Sequence, residues 1–427
     1  MNRIKQFNCP IRYHTTGPGS HFFGFHDLCP WDSADENLVI LRTADELWRV
    51  PRAGDMARVC IWSPGGDAVR VIGETAAWNW QQGARQQWLP GDRARIIYNA
   101  RKDNNFVSII YDLESGKEEF LPYSIYSLSE DGRSAISPNF ARLSRYYQSY
   151  GYAGGDHPGL SRPIPSDDGI YFLDLSAGSV KLILSLAEIA AYKPTVMDDS
   201  IPHFVTHPTI NPSGTRFCFM HRYKLPGSGL YSRFMAADMD GSNLKILAEE
   251  KVGHFDWYDD DTILVWTRYL PAAARAARRN SIFSPSIKKT ILKWLRRLHP
   301  AIKQKLYGES LYLVNADEPD DKRQVAAGIL EQDGHPMFSH DRRWIITDTY
   351  PDKKRRQRLI LYNLEDDIRY NIGNYISPEV FGDGGFRCDL HPRWNRGNNL
   401  ICFDSAHTGK RQVYLVDVSS LIFSAKK

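Results

Sequence analysis

Apolar positions along this chain fall into short alternating runs bounded by turn residues, the pattern of half-buried strands. One phrase recurs: a turn rich in Pro, Ser, Asp, Asn or Gly, then an apolar strand. It reads CPWDSADENLVIL from Cys29, WLPGDRARIIYN from Trp88, LSEDGRSAIS from Leu128 and INPSGTRFCFMH from Ile210. It continues as FDWYDDDTILVWT from Phe255, FSHDRRWIITDT from Phe338 and HPRWNRGNNLICFDS from His391, making seven copies. Each is followed by a second strand ending in an acidic or Gly turn, such as VSIIYDLESGK, GIYFLDLSAGS or RFMAADMDGSN. Strand, turn, strand and an Asp-Gly-type turn make a β-meander. Seven of them over 427 residues predict an all-β, seven-bladed β-propeller forming one domain, residues 1–427. The first strand, near residues 7 to 14, is expected to complete the last blade and close the ring.

Uneven spacing marks insertions before the fourth copy (about residues 140 to 205) and before the sixth (about 270 to 308). Long loops on a rigid scaffold commonly build the ligand face. The second insertion is unusual. Residues 271–306 hold ten Lys or Arg and no Asp or Glu, with Ile287, Ile291, Leu292, Leu295 and Leu298 at helical spacing and Ser286 placed to cap. Residues 271–308 therefore read as a basic amphipathic helical insertion. It suits peripheral contact with an anionic membrane or a polyanion, or docking on a blade with its charges solvated.

The net charge of +4 does not argue for nucleic acid. No apolar run reaches the length of a membrane span, and MNRIKQFNCPIRYH lacks the apolar core of a secretory signal. The expected location is cytoplasmic or cell-associated. The 6 cysteines are scattered without a CxxC, which excludes a disulfide framework as the organising principle. Cys218 and Cys402 lie in apolar strand runs and are expected in the core. Aromatics reach 12%. Trp78 and Trp80, beside Gln81 and Gln82, are candidates for stacking on sugar rings or for blade packing. His21 and His26 flank HFFGFHD near the channel and are candidates either to join the site or, the favoured reading, to bond to local turns.

Four histidines share one register. His207, His254, His335 and His391 each lie seven residues before the equivalent turn position of copies four to seven (Gly214, Asp261, Arg342, Asn398). The corresponding positions in the first three copies are near Leu28, Arg85 and Ile125. Equivalent positions on neighbouring blades point at a common axis, so the imidazoles are expected to converge. Cys388 and Asp389 precede His391 closely, and imidazole, thiolate and carboxylate are metal ligands. The expected set is His254, His335, Cys388 and His391, with Asp256 and Asp389 as alternatives. With Cys388 the set is zinc-like; with His and carboxylate alone manganese fits, and calcium is a further alternative.

GHPMFSHDRRWIITDTYPD (334 to 352) and FRCDLHPRWNRGNNLICFDSAHTGKRQVYLVD (386 to 417) resemble the last two blades of propeller polysaccharide lyases. The nearest resemblance is to ulvan lyases, with oligogalacturonate lyases more distant. HPTINPSGTRFCFMHRY (207 to 223) resembles the blade carrying their catalytic pair, and HFFGFHDLCPWD and AWNWQQGARQQWLP resemble their first two blades. The resemblance implies β-elimination on a uronic-acid-containing glycan, which needs a cation on the carboxylate, a base for the C5 proton and an acid for the leaving O4. It implies Arg222 as the neutraliser, His207 and His221 as base or acid, and Tyr223 or Tyr152 as a phenolic acid or base. Arg145, Tyr150 and Arg393 join Trp78 and Trp80 as substrate-binding candidates. NFARLSRYYQSYGYAGGDHPG departs from the ulvan pattern, having no His after ARL, so the acid–base assignment does not transfer.

The function expected is therefore a metal-containing lyase acting on an acidic polysaccharide or oligosaccharide. The alternative is a non-catalytic propeller that binds an acidic glycan or a protein partner, with a structural metal. A glycoside hydrolase ranks third, because no carboxylate pair stands out.

Overall fold

A computed structural model describes residues 3–44, 47–66, 69–157, 159–195, 198–225, 229–269, 308–382 and 384–424. The basic insertion, residues 271–306, and the membrane or polyanion contact expected of it lie outside the described residues. Among those described, no helix is long and apolar enough to cross a membrane.

Seven sheets make a seven-bladed β-propeller. The first is His21–Phe22, Leu38–Thr43, Ala57–Trp62 and Val69–Thr75, four consecutive antiparallel strands. The next four sheets repeat that order. The sixth has inner strand Met337–Phe338 and outer strand Ile368–Ile376, to which Ile4–Gln6 adds in parallel. The seventh uses Arg393–Trp394, Leu400–Ser405 and Gln412–Asp417. Its fourth strand comes from the other end of the chain: Ile11–His14 pairs antiparallel with Gln412–Asp417. The N-terminal segment thus clasps two blades. Thr15 Oγ1 strengthens this by donating to Gln412 Oε1 (2.5 Å) and accepting from the Val413 amide (3.0 Å).

Alternating strands place one apolar face of each blade against the next. The result is seven clusters between blades rather than one central core. Phe22, Val39 and Leu41 of the first blade meet Trp88, Ile96 and Tyr98 of the second, and Trp344 and Leu361 of the sixth meet Trp394 and Phe403 of the seventh. Trp78 and Trp80 belong to the first cluster, 1% and 2% exposed, their indole N–H groups donated to the carbonyls of Asp55 and Arg49. They pack a blade interface and offer no face to a sugar. Cys218 and Cys402 are buried in such clusters.

Strand direction sorts the loops. The loops entering each inner strand and those between second and third strands share one face; the tight turns between first and second strands occupy the other. The segment expected before the fourth copy runs largely inside the third blade, between Ser134–Pro138 and Gly169–Asp174. It opens with a short helix, Phe140–Tyr146, whose Asn139 Oδ1 accepts from the amides of Ala141 and Arg142, followed by the turn Gln148–Tyr150. Arg142, 2% exposed, pins it by donating to the carbonyls of His203, Gly159, Arg162 and Pro163. Tyr152 stacks on Phe140 (centroids 4.1 Å apart) and accepts from Asn99 Nδ2.

Removing residues 3–14 would expose the Gln412–Asp417 edge, an unpaired template for other chains. The truncated protein is expected to melt at lower temperature and to associate in light scattering; unchanged melting would show that the clasp contributes little.

Candidate functional site

The inner strands bring five imidazoles together around one phenyl ring. Phe25, 2% exposed, has its centroid 4.5 Å from His26, 5.0 Å from His207, 4.9 Å from His391, and 5.9 Å from both His254 and His335. His335 is in turn 4.2 Å from His254 and 4.3 Å from His391. The four histidines in register therefore meet. His26 joins them, 5.4 Å from His335 and 5.5 Å from His254, instead of bonding to a local turn. His21 does not: its Nδ1 bonds Gln412 Oε1 between the seventh and first blades.

Backbone strain helps aim these rings. His207 (φ 57°) and His391 (φ 44°) adopt left-handed backbone immediately before Pro208 and Pro392, as does Arg85 (φ 53°) at the matching place in the second blade. A non-glycine residue held there costs on the order of 1–3 kcal/mol and persists only where its surroundings enforce it. Gly24, at φ 115°, presents Phe25; a Cβ there would meet Gln82 O at 2.9 Å. Phe23 is anchored by its amide on the buried Asp404 carboxylate (3.3 Å).

The hydrogen bonds fix the tautomers. His391 Nδ1 bonds the Gly24 carbonyl at 2.8 Å; a carbonyl only accepts, so Nδ1 carries the proton. His335 Nδ1 bonds both oxygens of Asp348 at 2.8 and 2.9 Å, and His254 Nδ1 bonds Asp333 at 3.2 Å. Asp348 also accepts from the His335 and His391 amides. Nε2 of His335 and Nε2 of His391 are thereby left with their lone pairs. The Nε2 atoms of His335 and His391 are buried with no partner. Burial holds both rings well below the usual imidazole pKa, and it raises Asp348 to about 6. At neutral pH this gives neutral imidazoles over an ionised carboxylate.

His335, His391 and Asp389 have ligand atoms within 4.8 Å of one another, and all three are buried. Arg387 Nε donates to both oxygens of Asp389 (2.9 and 2.6 Å). Cys388, expected in the metal set, lies elsewhere. Its side chain packs with Phe381 and Ala406, and burial pushes the thiol up to about 12, against thiolate formation. Neighbouring residues on an extended segment point to opposite sides, so Asp389 faces the channel and Cys388 the blade. The thiolate argument for zinc falls with it. Asp256 also stands apart, half-buried and accepting from the Phe338 amide (2.8 Å).

Above the cluster, Tyr150 covers the channel, its ring 5.1 Å from His207 and stacked on Tyr147 (4.7 Å, 10°). Arg222 lies over Tyr147, 5.2 Å from its centroid. It is 7% exposed, has no carboxylate partner among the described residues, and its Nε is unpartnered. His207 Nδ1 bonds Thr206 Oγ1 (2.5 Å), and burial with the charge of Arg222 holds the ring neutral. Arg145 is exposed on the helix that precedes this turn, against Tyr146.

Other candidates fall away from this mouth. His221 is fully buried with both ring nitrogens engaged: Arg233 Nε donates to its Nδ1 (3.0 Å), so its Nε2–H donates to His203 Nδ1 (3.0 Å). Tyr223 stacks on His203 (4.6 Å, 12°) at 2% exposure. Tyr152 is fully buried and anchors the insertion. Arg393 lies lower in the channel and donates to the His26 carbonyl (2.5 Å). Sequence reading missed Asp348, Asp333 and Phe25. TDTYPD and HFFGFHD contain two of them, but neither residue has register copies to mark it.

No protein-family model and no curated protein matches the chain. Solved structures do. An oligogalacturonate lyase in complex with manganese matches with a TM-score of 0.61 at 14% identity, covering 98% of each chain. The oligogalacturonate lyase of Vibrio parahaemolyticus matches at 0.59 and 12%, over 94% of this chain and 91% of that one. The β-propeller domain of the Trilobed protease from Pyrococcus furiosus matches at 0.49 and 10%, over 96% and 94%.

The Arg233–His221–His203 chain requires both imidazoles neutral. His203 is held at about 4, chiefly by burial, against an ordinary 6.5. Above pH 6.5 neither folded nor unfolded state binds this proton, and no stability difference arises. As pH falls from 6.5 toward 4, only the unfolded state takes it up, so stability drops. In His203→Gln that loss is absent: relative to wild type, the variant should gain on the order of 2 kcal/mol between pH 7 and 5 by denaturant melts. A pH-independent difference would refute the neutral chain.

The structural likeness covers essentially the whole chain and shows a seven-bladed propeller shared with oligogalacturonate lyases, while lending the ulvan lyases no specific support.

Proposed function

We propose that the protein is a lyase acting by β-elimination on an acidic, uronate-containing oligosaccharide, with a divalent metal held by His335, His391 and Asp389. The observation that carries it is Arg222: a nearly buried guanidinium without a carboxylate partner, over an aromatic stack, beside a neutral imidazole. A buried charge without a counter-ion is costly, so the site is suited to an anionic ligand. The two orphaned Nε2 atoms and the Asp389 carboxylate form a nitrogen–oxygen donor set of the kind manganese takes. The manganese-bound oligogalacturonate lyase among the structural neighbours agrees with both points.

In this reading Arg222 grips the uronate carboxylate through its fork of N–H donors. That neutralises the carboxylate and eases the build-up of negative charge at C5, and His207, ring-fixed by Thr206, takes the C5 proton through Nε2. The C5 electron pair forms the C4–C5 double bond as the C4–O4 bond breaks. The leaving oxygen takes its proton from the His207 imidazolium, which returns to the neutral ring. A bound divalent ion would supply positive charge to stabilise the carboxylate as it delocalises the C5 carbanion. Asp348 and the Gly24 carbonyl orient its imidazole ligands, as partners of metal-bound histidines do. Tyr147 and Tyr150 exclude water from the mouth.

A second reading, a non-catalytic propeller that binds an acidic glycan around a structural metal, has one observation behind it: His335, Asp389 and His391 are 1–2% exposed beneath Tyr150. Turnover separates the two. With oligogalacturonate and other uronate oligomers, the lyase produces an unsaturated uronide absorbing in the ultraviolet. Arg222→Gln and His207→Ala should each lower that rate at least about a hundredfold. Binding of the oligomers without any absorbance rise would leave the second reading. Metal analysis should find one divalent ion per chain, lost in His335→Ala and kept in Cys388→Ala; loss in Cys388→Ala would restore the thiolate to the ligand set.

A further inference from the structure

Behind the imidazole cluster, where the fifth blade meets the sixth, lies a cavity of about 120 Å³. The two segments that hold the cluster also wall this cavity. Glu331 and Gln332 come just before Asp333 and His335, and Thr347 and Thr349 flank Asp348. Successive side chains on a strand alternate, so Asp348 turns its carboxylate to His335 and the threonines face the other way. Gly334 lets the two segments close on each other: a Cβ there would meet Thr347 Oγ1 at 2.7 Å.

The third and fourth strands of the sixth blade bring two cations to the same cavity. Arg358 and Arg369 both line it, and both are half-buried. The Arg358 amide donates to Thr349 Oγ1 (3.0 Å), while its guanidinium has no partner among the described residues. Arg369 is held in place: Nε donates to Asn371 Oδ1 (2.9 Å) and Nη1 to the Ile329 carbonyl (3.0 Å), leaving Nη2. Neither arginine is in an ion pair among the described residues. Burial, then the charge of Arg358, pulls the Arg369 pKa down to about 10 against the opposing pull of Glu331. Two guanidiniums therefore face one carboxylate, Glu331, and a positive charge is left over in a half-buried space. Thr347 Oγ1 likewise has no hydrogen-bond partner among the described residues.

We propose that this cavity is a binding site for inorganic phosphate. Its volume is that of roughly four waters, room for one tetrahedral oxyanion and too little for a uronate ring with its substituents. Thr347, Arg358 and Arg369 bring donors from three different strands. That spread suits a tetrahedral acceptor better than a planar carboxylate, which lies in the plane of one guanidinium fork. Glu331 then selects among tetrahedral ions. Phosphate at neutral pH keeps a proton that it can donate to this carboxylate; sulfate has only lone pairs to present, and the carboxylate repels it. The site is separate from Arg222, which lies on the fourth blade, and it stands whether or not the lyase reading does.

Calorimetric titration of the full chain at pH 7 and low salt, with sodium phosphate and separately with sodium sulfate, tests it. One saturable equivalent of phosphate is expected, and sulfate should bind at least about tenfold more weakly. Arg358→Gln removes a guanidinium that holds no other group, so it should weaken phosphate about tenfold with unchanged melting. Glu331→Gln removes the selecting carboxylate and should erase the preference for phosphate over sulfate. Arg222→Gln should leave phosphate binding unchanged. Absence of saturable phosphate binding, sulfate bound as tightly as phosphate, or binding indifferent to Arg358→Gln would overturn the proposal. So would a preference for phosphate that survives Glu331→Gln, or loss of binding in Arg222→Gln, which would move the ion to the uronate site.

Discussion

Two ring nitrogens in the channel, Nε2 of His335 and Nε2 of His391, are shut away from water without a hydrogen-bond partner. Such atoms cost on the order of 1–3 kcal/mol each when nothing satisfies them. Their orphaned state is imposed from behind. The Gly24 carbonyl and the Asp348 carboxylate each take an Nδ1 proton and turn the opposite lone pair inward. Everything around the cluster serves this arrangement. Gly24 needs its positive φ to deliver both its carbonyl and Phe25, and His391 needs left-handed backbone before Pro392 to reach that carbonyl. Phe25 then fills the space that five imidazoles would otherwise leave, so that only one side of the ring gathers three ligand atoms.

The propeller makes this geometry possible because its stability does not depend on the channel. Seven separate apolar clusters between blades carry the packing, and the N-terminal strand closes the ring. The channel is thereby free to hold unsatisfied polar atoms and strained backbone. At its upper mouth Arg222 lies beside Tyr147 and the neutral His207.

What the sequence revealed follows from what a repeat can encode. Blade count, the N-terminal closing strand and the convergence of His207, His254, His335 and His391 were legible because each depends on a fixed spacing from a recurrent turn. Side-chain facing was not. Cys388 and Asp389 are adjacent, and only the backbone path decides that the carboxylate enters the channel. His221 sits two strand positions from the cross-strand partner of His203, inside a blade interface, so its titration near neutrality in isolation said nothing of access. Trp78 and Trp80 were read as candidates for sugar stacking or packing, and burial at the first blade interface selects packing. His26 and Asp348 lay outside the register, and their roles arise only from contacts between the first, sixth and seventh blades.

On the proposed reading, the fold presets the tautomers of His335 and His391 for a divalent metal. A long-range ¹H–¹⁵N correlation spectrum of the metal-free protein at pH 7 tests it most directly. Both rings should appear neutral and protonated at Nδ1, and their Nε2 resonances should shift on adding a diamagnetic divalent ion such as cadmium. Protonation at Nε2, or Nε2 resonances indifferent to saturating metal, would contradict the account.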